Sequence, residues 1–267
     1  MEIKGSVGII GGNGQLGSAI ARGMLKTGVV VPGRFWIGCR SGRADALGDV
    51  AGLRITTDNQ ALVEACGTVI LSVPPAQAGQ IAISAPDRLL ISVMAGVTLS
   101  ELAGLTGARR IIRAMSSPAA SDQRAYSPWV AGGGVTAGDR TTAEAIFAAC
   151  GLTDEITNEA HIDNFTAMTG PVPGFVALFA DCMIRHATDA GIAPAIAERA
   201  IRQLFLASGE ILGSAPQSPA DQVRAMLDYA GTTAAGLQAM EAAGLEQVIA
   251  KGLDAAIARA RAISRDS

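Results

Sequence analysis

Six consecutive residues, Gly12-Asn13-Gly14-Gln15-Leu16-Gly17, place glycine at the spacing G-x-G-x-x-G. That spacing suits a pyrophosphate: one glycine turns tightly, one lets backbone approach the phosphates, and one lets a helix pack on a strand. Taken in order, these roles fall to Gly12, Gly14 and Gly17. The pattern gains meaning when it ends a strand and opens a helix. Here the apolar run Ser6–Gly11 precedes it and a helical stretch, Leu16–Lys26, follows. The start of that helix, at Gln15 and Leu16, offers free N–H groups and a positive dipole end to phosphates. A second cluster, Arg40, Ser41 and Arg43, follows the next apolar run. A free ribose 2′-hydroxyl calls for an acid at that strand end, whereas a 2′-phosphate calls for arginine. No acid stands at Gly38, Cys39 or Arg40, and arginine offers phosphate a two-pronged fork. The residues therefore predict NADP(H) rather than NAD(H). Arg43 also reads as a solvated helix-start residue.

Other chemistry is poorly supplied. Cys39, Cys66, Cys150 and Cys182 are far apart, with only His161 and His186 to assist them, which is no zinc pattern. They are expected to be four buried, reduced thiols in a cytoplasmic protein. Neither histidine belongs to a nucleophile motif, and both read as helix-surface or satisfied core residues. Glu198, Glu210, Glu241 and Glu246 read as solvated helix faces, and no acidic run has metal-loop spacing. With 24 acids against 21 Lys plus Arg and 4% aromatics, nucleic acid is not an expected partner. No signal peptide is read at Met1–Lys4. Asn164–Ala180 is uncharged but short of the roughly 20 residues that span a bilayer, so no membrane is expected.

The elements that must position these residues change character along the chain. Phe35–Cys39, Thr68–Val73, Leu89–Met94 and Arg110–Met115 repeat the buried-strand pattern, with Trp129–Ala131 as a further candidate. Helical stretches such as Asn59–Ala65 lie between them, which predicts βαβ units and a parallel sheet covered on both faces. Beyond residue 158 no strand is read. Ala193–Leu212 aligns Ala197, Ile201, Leu204, Ser208 and Ile211 on one helical face, with Pro194 in the tolerated first turn. Leu245–Ile263 is another helix, with Arg259, Arg261 and Arg265 near its negative end. The expected fold class is an α/β Rossmann-type dinucleotide-binding domain, 1–158, followed by an all-α helical dimerisation domain, 159–267. The helical part is small for an independent core, and its apolar surface suggests burial against a second subunit.

With these features in place the chain resembles the pyrroline-5-carboxylate reductase family along most of its length. Gly12–Gly17 followed by Ala19-Ile20 is similar to the family's opening. Asp58-Asn59 sits where the family carries an Asn near the adenosine. Val69–Gln77 is similar to V-I-L-x-V-K-P-Q, with Pro74 in place of Lys, and Ile91–Thr98 to I-S-x-x-A-G-V. Thr166–Gly170 with Pro173 resembles T-G-L-S-G-S-G-P, and Gly231–Leu237 resembles G-T-T-x-x-G-L. The resemblance implies hydride transfer from NADP(H) to the C=N carbon of a cyclic imine, giving L-proline. It implies a homodimer, with room for higher assembly, whose site is completed by the partner's helical domain. It also implies that Val73, Pro74, Pro75, Ala95 and Gly96 flank the nicotinamide, with the Thr233 hydroxyl near the imine nitrogen and Thr232 beside it. As ordinary structure, the two threonines would cap a helix.

Three departures fall at the substrate end. R-x-M-P-N-x-P becomes Arg113-Ala114-Met115-Ser116-Ser117-Pro118, without the Asn. A glycine of S-G-S-G-P becomes Val172. S-P-G-G-T-T becomes Asp228-Tyr229-Ala230-Gly231-Thr232-Thr233, which puts an acid where the family meets the substrate carboxylate. Asp228 has three readings: it caps the following helix, it supplies the imine's proton, or the substrate lacks an anion at that end. Tyr229 reads as a proton donor, a pocket wall or an interface residue. Alternative functions are a related imine reductase, an F420-linked NADP oxidoreductase, or a non-catalytic NADP-binding regulatory protein.

Overall fold

The computed structural model describes residues 3–170 and 173–263. Pro171, the departure at Val172, and Arg265 lie outside the described residues, as do Met1 and Glu2. The first half is an eight-stranded sheet in the order β3-β2-β1-β4-β5-β6-β7-β8. The strands are β1 (Val7–Ile10), β2 (Phe35–Gly38), β3 (Arg54–Thr56), β4 (Thr68–Leu71), β5 (Leu89–Ser92), β6 (Arg110–Ala114), β7 (Ala125–Ala131) and β8 (Gly151–Glu155). Neighbours are parallel except β6 and β7, which run antiparallel. The all-parallel sheet expected from sequence thus carries one antiparallel strand pair. β3 and β8 were not read from the sequence. Both are edge strands, short or polar, and lack the continuous apolar run of the buried strands.

Side chains alternate across each strand, which divides the core into two layers. Val7, Ile9, Phe35, Ile37, Ile70 and Ile91 face Ile20 and Met24 of α1 (Gln15–Thr27) and Ile146 and Phe147 of α4 (Ala137–Ala148). Ile10, Val69, Leu71 and Leu90 face Leu62 and Val63 of α2 (Asn59–Ala65) and Leu102 of α3 (Leu99–Thr106). Both faces of the sheet are covered, as the apolar runs demanded.

The strands end at Glu155, and only helices follow: α5 (Ala160–Met168), α6 (Gly174–Asp189), α7 (Pro194–Ser214), α8 (Pro219–Tyr229), α9 (Thr232–Ala242) and α10 (Leu245–Ile263). Residues 1–172 with 255–267 form one compact unit, and residues 173–254 form a second. The uncharged stretch Asn164–Ala180 is split between α5 and α6. Among the described residues no helix is long and apolar enough to cross a membrane. On α7 only Ala197 of the aligned face is buried, while Leu204 and Ile211 are exposed in the single chain. Val176, Leu178 and Val248 are more than half exposed as well. An apolar helical surface of this kind marks an interaction site rather than a finished exterior.

Candidate functional site

The glycine turn assembles at the C-terminal end of β1. Its tight bend belongs to Gly11, whose φ is +83° and whose Cβ would sit 2.3 Å from the Ser72 carbonyl oxygen. The sequence reading gave that role to Gly12. Gly12 instead packs beneath the turn, where a Cβ would lie 2.9 Å from the Ile37 side chain. The correction follows from chain direction, because the bend comes one residue earlier, directly after Ile10. Gly17 has the expected role, since its Cβ would meet the Gly11 carbonyl oxygen at 2.4 Å. Gly14 is the N-cap of α1 and supplies no side-chain acceptor, so Gln15 and Leu16 open the helix without a cap bond. Their N–H groups are the unsatisfied donors that favour an anion.

Strand order reverses between β2-β1 and β4, where an open α/β sheet binds its ligand. A cleft of about 540 Å³ lies there, within the usual range for a small-molecule site. It brings together Asn13, Gly14, Arg40, Ser41, Asn59, Val73 and Pro74. Gly12, Gln15, Leu16, Arg43, Pro75, Ala95 and Gly96 do not line it. Pro75 begins the 3-10 turn Pro75–Gln80, and Ala95-Gly96 form the turn after β5, with Gly96 at φ +76°. Gln77, Gln80 and Ile81 also wall the cleft and were not singled out as ligand-facing from sequence. The signal for them was the Pro74-Pro75 pair, because proline in a first helical turn announces one.

The two arginines after β2 differ. Arg43 forms an ion pair with Asp45 at 3.0 Å and is exposed outside the cleft. Arg40 lines the cleft and has no ion-pair partner among the described residues. Ser41 Oγ donates to the Arg43 carbonyl at 3.0 Å and shapes the turn between them. A guanidinium without an ion-pair partner among the described residues, in the lining of this cleft, fits a 2′-phosphate better than a hydroxyl. Asn59 is the first residue of α2, held by the Asp58 cap, which accepts the Ala61 N–H at 3.0 Å.

The residues assigned to the imine lie at the α8–α9 junction. Asp228 is in the last turn of α8 and does not cap α9, which corrects the capping reading. The N-cap of α9 is Gly231, without a side-chain bond, and Thr232 and Thr233 are its first two residues. The threonine caps expected as ordinary structure are therefore not made, because the backbone reverses through Ala230, at φ +55°. Tyr229 is 85% exposed in the single chain.

Arg113, noted from sequence only as part of a motif, is 1% exposed and holds two acids of α5's start. Its Nη1 lies 3.2 Å from Glu159 and its Nη2 2.5 Å from Asp163. Glu159 also accepts the Leu99 N–H at 2.8 Å, tying the start of α3 into the cluster. The signal was an arginine inside an apolar strand, which needs buried acids, and two acids four residues apart on a helix. Where the motif's Asn is absent, Ser117 is buried, and its neighbour Ser116 accepts a bond from Ser127 Oγ at 2.9 Å.

The thiols are not all buried. Cys66 and Cys150 are, and burial pushes each up to about 12. Cys39 is partly exposed and Cys182 exposed, because their positions lie at a strand end and on an outer helix face. His161 and His186 are exposed on helices. Among the described residues no cluster could hold a metal ion.

Two family models match the chain. Residues 159–263 match pyrroline-5-carboxylate reductase dimerisation, and residues 6–96 match NADP oxidoreductase, coenzyme F420-dependent. Pyrroline-5-carboxylate reductase 3 of Macaca fascicularis is 28% identical, with 97% of this chain and 96% of the relative aligned. A pyrroline-5-carboxylate reductase structure from Coxiella burnetii superposes with a TM-score of 0.88 at 26% identity, covering 98% of this chain and 99% of that one. Plasmodium falciparum pyrroline carboxylate reductase with NADP bound shares the fold, with a TM-score of 0.83 at 22% identity and coverage of 99% and 100%.

Proposed function

We propose that the chain, similar over nearly its whole length to pyrroline-5-carboxylate reductases, is a member of that family and reduces pyrroline-5-carboxylate to proline with NADPH, as a homodimer. The observation that carries the cofactor half is the cleft beside the open start of α1, with Arg40 in its lining and without an ion-pair partner among the described residues. Gly14 and the first N–H groups of α1 hold the pyrophosphate, Arg40 and Ser41 the 2′-phosphate, and Asn59 the adenosine side. Val73 and Pro74, which line the cleft, wall the nicotinamide, with Pro75, Ala95 and Gly96 beyond the cleft lining at the same cofactor end. The bound cofactor supplies the hydride.

A nicotinamide reductase needs little more from its protein than placement and a proton source. Residues 1–158 serve as the cofactor domain and 159–267 as the dimerisation and substrate domain. The start of α9 provides what an imino acid needs: uncapped N–H groups for a carboxylate and the hydroxyls of Thr232 and Thr233 for the ring nitrogen. Asp228 and Tyr229 border that start in sequence and tune the charge and closure of the substrate end.

The test is turnover of purified protein with NADPH and pyrroline-5-carboxylate, followed at 340 nm. NADPH oxidation that depends on this imine, with proline as product, is the expected result. Turnover only with imines lacking the carboxylate overturns the substrate. Tight NADPH binding without turnover on any imine leaves a binding protein instead.

A further inference from the structure

We propose that Asn13 and Arg22 are positioning residues that set the preference for a 2′-phosphate by fixing the loop that carries Arg40 and Ser41. The inference rests on the cofactor reading above.

The loop Cys39–Leu47 leaves β2 at the cleft and ends in the 3-10 turn Asp45–Leu47. Its near end is a tight turn: the Gly42 N–H donates to the Cys39 carbonyl at 3.2 Å, with Gly42 at φ +66°. Its far end is held at Ala46 on both backbone polar groups. The Ala46 N–H donates to Asn13 Oδ1 at 3.0 Å, and the Ala46 carbonyl accepts from Arg22 Nη2. Ala44, between the two ends, is buried in the core. Asn13 belongs to the glycine turn and Arg22 to the middle of α1, so one helix and the turn that opens it grip the loop that follows the neighbouring strand.

This grip has a chemical consequence. The groups that meet the pyrophosphate and those that meet the 2′-phosphate are set at a fixed spacing before any ligand arrives. Preorganisation of this kind adds affinity by removing the entropy of ordering a loop on binding. Asn suits position 13 because it accepts the bond without a charge, whereas a carboxylate would repel the phosphates. Arg22 does not line the cleft, and its side chain reaches the loop through the Ala46 carbonyl.

The test compares two probes, adenosine 2′,5′-bisphosphate and adenosine 5′-phosphate, titrated calorimetrically into the full chain. Asn13→Ala and Arg22→Ala should each weaken the bisphosphate by about 3- to 10-fold, the value of one hydrogen bond. In Arg22→Ala, whose side chain lies outside the cleft lining, the monophosphate should change by less than about 2-fold, and Arg22→Lys, which retains a donor, should recover most of the loss. Equal weakening of both probes in Arg22→Ala, or no weakening of the bisphosphate in either variant, with melting like the parent, overturns the inference. If Asn13→Ala does not fold, the Arg22 pair decides the question alone. Arg40→Ala separates the two readings. Loss of the bisphosphate there, with none in the Asn13 and Arg22 variants, overturns this inference only. No loss in Arg40→Ala overturns the cofactor assignment and the inference together.

Discussion

Replacing Arg113 with methionine should destabilise the protein by about 3 kcal/mol. Methionine fills much of the volume, so the main loss is electrostatic. Glu159 and Asp163, with 31% and 13% of their side chains exposed, would keep their charges in the same place without a cation. Breaking one side of a buried ion cluster costs about 3–5 kcal/mol, and partial access of water to Glu159 argues for the lower end. The remaining cation, Arg261, is 4.0 Å from Asp163 and 54% exposed, too wet to replace the lost guanidinium. For a chain of this size the loss corresponds to a fall in Tm of about 6–12 °C. The assay is thermal unfolding by circular dichroism at one protein concentration, because a dimer's Tm moves with concentration. The triple variant Arg113→Met, Glu159→Gln, Asp163→Asn should recover more than half of the loss, since no buried charge is then left alone. A single-variant loss under about 1 kcal/mol, or a triple variant no more stable than the single, would refute the reasoning.

Gly17→Val should abolish cofactor binding or folding, because its Cβ would meet the Gly11 carbonyl oxygen at 2.4 Å; a variant that retains wild-type NADPH affinity would contradict the turn geometry. Thr233→Val should lower kcat/KM by about 10- to 100-fold, the value of a hydrogen bond to a charged group, with NADPH affinity unchanged in titration. The raised thiols of Cys66 and Cys150 carry a pH signature. Their unfolded forms ionise near the ordinary value of 9.0 and their folded forms only near about 12. Folding stability from this source is therefore complete below pH 9 and falls above it, by about 1.4 kcal/mol per pH unit for each thiol. Urea unfolding at pH 8 and pH 10 should show this decline, and Cys66→Ala/Cys150→Ala should flatten it.

Much of the cofactor half was legible in the sequence because its determinants are local. Apolar runs of four or five residues fixed the central strands, and the spacing Gly12–Gly17 placed the turn between β1 and α1. Arg40 could be chosen because an acid was missing from a strand end. The edge strands β3 and β8 could not be read, since their residues bury little and pair on one side only. Gln77 and Gln80 escaped as cleft walls because a 3-10 turn leaves almost no periodicity.

What tertiary structure alone decided is which groups are already committed. Arg43 meets its partner Asp45 only two residues on, whereas Arg40 lines a cleft whose other walls, Asn13, Val73 and Gln77, come from distant parts of the chain. The bend belongs to Gly11 rather than Gly12 because the Ser72 carbonyl, 61 positions away, closes on it. Arg113 lies within hydrogen-bond reach of Glu159 and Asp163 only after β6 and α5 pack together. The sequence by itself determined residue types and local periods. Partners distant in the chain, brought together by folding, determined which charges and which backbone groups remained for a ligand.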